Sequence, residues 1–88
     1  MIEKIKKSIS LKLDINQIEI IDQSHQHAGH SQNKGGGHYK AIIISNDFNN
    51  KSLVERHRMV YEALGDLMQN EIHAFSMNTL TVSEFNKK

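Results

Sequence analysis

Eighty-eight residues, 38% hydrophobic and 24% charged, with a formal net charge of +1 and neither cysteine nor proline, make a chain sized for one small core. That composition excludes a disulfide framework, a thiolate ligand or nucleophile of the chain's own, and, for want of any long apolar run, a transmembrane helix. The near-zero charge makes no strong electrostatic case for a nucleic-acid partner, although six histidines would add positive charge below about pH 6.5.

In MIEKIKKSISLKLD, Ile2, Ile5, Ile9 and Leu13 fall on one helical stripe with Lys4, Lys6, Lys7 and Lys12 off it. The spacing predicts an amphipathic first helix that only Leu11 spoils. The same stretch lacks the apolar core and cleavage site of a secretory signal, which favours a bacterial cytoplasm, with a processed organellar protein as the alternative. NQIEIIDQ reads as a strand around Gln17 to Asp22. From Ser24 to Gly37 there is no aliphatic residue larger than alanine, so this segment is expected to be a long exposed loop. HYKAIIIS then reads as a central strand from about His38 to Ser45, forming a hairpin with the first.

NDFNN is a turn cluster in which Asn50 suits the left-handed conformation. Ser52 and Glu55 fit a capping box, and Leu53, Val54, Val60, Tyr61, Leu64, Leu67 and Met68 give the helix that follows one broad apolar face. It is expected to run to about Met68, with Gly65 weakening its last turn. EIHAFSMNT reads as a third strand, and Thr81 with Glu84 offers a second capping box for a short terminal helix, TVSEFNKK. The order is α-β-β-α-β-α in a single domain, 1–88, without internal repeat or linker.

The helical wheel puts His57 near the middle of the apolar face of the second helix, with Arg56 and Arg58 at its edges, where a long stem covers apolar surface and the guanidinium stays in water. With Lys51 these arginines are the candidate phosphate contacts of a nucleic-acid-binding helix. His73 opens the third strand and, by the two-residue period, shares a face with Phe75 and Met77; His38, opening the second, reads as structural in the same way. The stretch HQHAGH holds His25, His27 and His30 within six positions. Neutral imidazole is a ligand for zinc, copper, nickel and iron. Yet H-x-H-x-x-H is not a zinc-finger spacing, and no nearby carboxylate or thiolate completes four ligands, so a solvated loop is favoured over an autonomous metal site. No G-x-S-x-G elbow, phosphate loop, H-E-x-x-H helix or dinucleotide fingerprint is present, which argues against an enzyme.

Taken together, DQSHQHAGH, GGHYKAIIIS, the helix KSLVERHRMVYEAL and IHAFSMNTLT resemble the BolA family over nearly the whole chain, as far as the terminal TLTVSEF. The RHR helix followed by I-H-A is the specific part. The resemblance implies an α+β fold similar to the type II KH domain, a three-stranded sheet with helices packed on one face, which agrees with the element order above. It also implies a partner rather than a reaction. Proteins similar to this one pair with a monothiol glutaredoxin and share a bridging [2Fe-2S] cluster, in iron-sulfur trafficking or iron regulation. The family's histidine in the third-strand H-A motif is an iron ligand and matches His73. A second ligand comes from the loop between the first two strands, histidine in one subgroup and cysteine in another; His27 is the best match, with His25 and His30 as alternatives. The glutaredoxin cysteine and the thiol of glutathione would complete the set, so no cluster is expected on the isolated protein.

Imidazoles in place of thiolates leave such a cluster less negative and raise its reduction potential. Because imidazole must be neutral to ligate, acidification is expected to loosen this side first. Some bacterial relatives act as transcription regulators, which makes DNA binding through Lys51, Arg56 and Arg58 the alternative function. A homodimer is compatible with both. The GXXG loop of RNA-binding KH domains is absent. Asn50 stands where family members often carry glycine, and Val82 and Phe85 where a tryptophan or proline is common.

Overall fold

The isoleucine stripe at the N-terminus does what its spacing predicts. In the computed structural model, which describes residues 1–23 and 37–87, it forms helix α1 (Ile2–Lys12), with Ile5 and Ile9 wholly buried and Leu11 left in solvent. Each of those isoleucines contributes roughly 1.5–3 kcal/mol by leaving water. Strands β1 (Ile15–Asp22) and β2 (Gly37–Ser45) follow, then a 3-10 turn at Asn46–Phe48, helix α2 (Leu53–Leu64), a short helix α3 (Asp66–Asn70), strand β3 (Ile72–Leu80) and helix α4 (Val82–Asn86).

The sheet order is β1-β2-β3. The expected hairpin is present: β1 runs antiparallel to β2, with Ile18 opposite Ile43 and Ile20 opposite Ala41. β3 lies parallel to β2 on its other side, the two joined by the kind of long helical crossover that a parallel pair requires. Tyr39, Ala41, Ile43 and Phe75 from the sheet meet Ile5 and Ile9 of α1, Leu13 just after it, Val60, Ala63 and Leu64 of α2, and Phe48 in one core.

Both capping boxes form. Ser52 Oγ accepts from the Glu55 backbone N–H at 3.2 Å and Thr81 Oγ1 from that of Glu84 at 3.0 Å, while each glutamate carboxylate accepts in return from the backbone N–H of the cap residue. Asn50 takes a φ of +63°, the left-handed turn its residue type allows. The second helix departs from expectation. It stops at Leu64 rather than near Met68, because Gly65 adopts φ +53° and ψ −126°, and the chain restarts as α3. A glycine counted as a mere weakening of the helix is in fact its end, since no other residue takes that backbone conformation at small cost.

Candidate metal-ligating site

The register between β2 and β3 breaks at one point. Gly37 stands opposite Ile72 and His38 opposite Ala74, so His73 is the extra residue of a bulge. A bulge interrupts the two-residue alternation and re-aims a side chain. The expectation that His73 shares a face with Phe75 is therefore corrected: Phe75 is buried in the core, whereas His73 is exposed and its ring lies against that of His38. The two ring centroids are 4.9 Å apart, with the planes inclined at 43°. Sequence reasoning set His38 aside as structural. Its proximity to His73 depends on a pairing between strands more than thirty residues apart, which no local pattern reports.

Gly37 and Tyr39 build the platform under this pair. The Tyr39 ring folds back across Gly37, and a Cβ at that position would overlap it. Gly37 donates its backbone N–H to the Glu71 carbonyl at 3.2 Å, tying the start of β2 to the turn before β3. Tyr39 is 6% exposed, and burial, with the nearby Asp22 and Glu71 carboxylates, holds its phenol above the usual tyrosine range.

The other candidate ligands, His25, His27 and His30, lie outside the described residues. The chain departs at Gln23 and re-enters at Gly37, and the Gln23 backbone N–H donates to the His38 carbonyl at 2.7 Å. Both ends of the histidine-rich segment are thus held at the imidazole pair. Among the described residues, no group of three or more histidine, aspartate or glutamate side chains converges as a ligand set.

The candidate nucleic-acid contacts separate. Lys51 and Arg58 are exposed. Arg56, expected at the helix edge with its guanidinium in water, is 8% exposed. It donates to both carboxylate oxygens of Glu84 at 2.8 and 3.1 Å, to the Thr79 carbonyl at 3.1 Å and to the Lys51 carbonyl at 3.0 Å, and lies over the Phe48 ring. A guanidinium with those acceptors is satisfied inside the protein and is not available to a phosphate.

The inward turn of Arg56 rotates α2 relative to its hydrophobic wheel. Leu53 and Val54, counted as core, are 62% and 67% exposed, and His57 is half-buried on the outer flank between Val54 and Tyr61. Tyr61 reaches β3, donating its hydroxyl to the Phe75 carbonyl at 3.3 Å. Shallow grooves run on either side of His57, one lined by Val54, Arg58 and Tyr61, the other by Leu53, Met77 and Leu80.

Comparison with known proteins gives a consistent picture. A family model described as BolA-like protein matches residues 9–84. An uncharacterized protein of Buchnera aphidicola subsp. Acyrthosiphon pisum is 40% identical over 87 residues, covering 99% of this chain and 82% of that one. SufE-like protein 1 of Arabidopsis thaliana is 36% identical over 92% of the chain, which spans only 24% of that longer relative. The solved BolA domain of SufE1 from the same plant matches with a TM-score of 0.80 at 38% identity, over 93% of this chain and 92% of the other. The DNA-binding transcriptional regulator BolA of Haemophilus influenzae is 31% identical, over 92% of this chain and 77% of its own length.

Proposed function

Since the chain belongs to the BolA family, we propose that it is a non-enzymatic adaptor that binds a monothiol glutaredoxin and shares with it a bridging [2Fe-2S] cluster, in iron-sulfur trafficking or iron regulation. The observation that carries this is His73: exposed, set on a bulge, and placed where the histidine-rich segment leaves and rejoins the sheet. His73 supplies one imidazole from a rigid strand. His27 supplies the second, with His25 and His30 as alternatives; it is four residues beyond Gln23, a span of at most about 14 Å. Cysteine and glutathione sulfur from the partner side complete the set. When bound, the cluster supplies an electron-accepting centre with one imidazole end and one thiolate end, and the imidazole end is the one a proton can release.

The protein partner has a surface to meet. The outer flank of α2 exposes Leu53, Val54 and Tyr61 beside β3, whose sequence IHAFSMNTL contains no formally charged residue. Exposed apolar area rimmed by polar groups, here Arg58 and Glu62, is the ordinary mark of a protein contact. A glutathione-containing compartment such as the bacterial cytoplasm suits this function.

Anaerobic reconstitution with a monothiol glutaredoxin, glutathione, iron and sulfide tests it. The expected product is a heterodimer with visible absorption and circular dichroism that change on His73→Ala. Spectra unaltered by that substitution would remove His73 as a ligand.

A second function is supported by the relative named as a DNA-binding regulator. In this chain it would rest on Lys51 and Arg58, without Arg56. Replacing both with alanine should weaken DNA binding and reduce its salt dependence by about two phosphate contacts. A binding curve equally steep in salt before and after would exclude these residues as contacts.

A further inference from the structure

The His38–His73 pair has a geometry that needs no partner protein to be useful. With a metal–nitrogen distance of about 2.0–2.1 Å, an imidazole ring centroid stands about 3.2 Å from a bound ion. Two such rings are then about 4.5 Å apart when the ligand–metal–ligand angle is 90°, and about 5.2 Å apart at the tetrahedral angle. The observed 4.9 Å falls between these values. His73 is exposed and His38 half-buried, so the pair is open to an ion from solution. The bulge that brings the rings together is held from below by Gly37 and Tyr39, so both imidazoles project from backbone that is fixed before any ligand arrives.

We propose that His38 and His73 form a two-imidazole site for a single divalent transition ion of intermediate softness, such as Cu²⁺ or Zn²⁺, in the isolated chain. Imidazole is the natural ligand for these ions, and the remaining coordination positions are open to water or to the ligands of a donor or acceptor molecule. A two-residue site at the surface holds its ion exchangeably. This goes beyond the cluster-sharing role, because it requires neither sulfide nor a second protein and assigns a ligand, His38, outside the histidine-rich segment.

Cu²⁺ is the probe. Because His25, His27 and His30 would compete for it, the titration uses the 88-residue chain carrying His25→Asn, His27→Asn and His30→Asn, read by pulsed electron paramagnetic resonance and by amide NMR. Two equatorial imidazoles are expected, with paramagnetic broadening centred on Gly37–Tyr39 and Ile72–Ala74. Adding His38→Ala or His73→Ala should reduce the imidazole count to one and weaken binding by at least about tenfold. His38→Asn, a smaller change at a half-buried position, guards against loss of fold, which dispersion of the amide spectrum reports. A single imidazole in the parent variant, or copper binding indifferent to both His38 substitutions, would overturn the proposal. The titration contains no glutaredoxin, glutathione or sulfide, so its failure and that of cluster sharing are separate results.

Discussion

A methyl group added at Gly37 would run into the Tyr39 ring, and the strand start that carries His38 would have to shift to admit it. Overpacking of this kind costs about 1–3 kcal/mol. Gly37→Ala should therefore lower the thermal midpoint and separate the two imidazoles, seen as loss of the nuclear Overhauser contact between the His38 and His73 rings. If Tyr39 is expelled, its phenol should titrate closer to the ordinary value of about 10, because burial is the chief cause of its raised pKa. An ultraviolet titration reads this directly. None of it was legible at the level of single residues. The two-residue period placed His73 beside Phe75 because it assumes an unbroken strand, and the break depends on how β3 meets a glycine and a tyrosine of β2.

Helix α2 shows what a helical wheel sees and what it misses. The capping box at Ser52 and the turn at Asn50 were legible because they depend on residues within three or four positions of each other. Which face turns inward was not, because the groups that admit Arg56 to the interior are the Glu84 carboxylate, 28 positions away, and the carbonyls of Thr79 and Lys51. Arg56→Ala strands those two carbonyls and should cost about 2 kcal/mol from that loss alone, checked by denaturant unfolding. Glu84 reports the same clasp from the other side. Hydrogen bonds from Arg56, and next from the Thr81 backbone, hold its carboxyl down from 4.5 to about 2. A carboxyl whose pKa is lower in the folded chain stabilises it fully above the unfolded value and loses that contribution as pH falls toward the folded one. The stability gap between the parent and Glu84→Gln should thus be constant near neutral pH and shrink between about pH 4.5 and 2. A gap independent of pH across that window would mean that the carboxylate does not anchor α4.

At the scale of the molecule, the order of elements and the α+β class followed from hydrophobic period and turn chemistry, and the hairpin from two isoleucine-rich runs around one polar segment. The added break at Gly65 and the parallel docking of β3 belong to the tertiary structure. The candidate site divides along the same line. His73 came from motif resemblance, His38 only from strand pairing, and His25, His27 and His30 lie outside the described residues.

β3 is an edge strand of nine residues with no formal charge, the kind of edge on which chains assemble into aggregates. Two of its carbonyls, at Phe75 and Thr79, are an even number of residues apart and so face the same edge, and both are occupied, by the Tyr61 hydroxyl and the Arg56 guanidinium. The helix that reads as a recognition element is therefore also insulation. Loss of either side chain would uncover a backbone acceptor on that edge, and the quantity it should change is the fraction of protein that stays in solution as concentration rises.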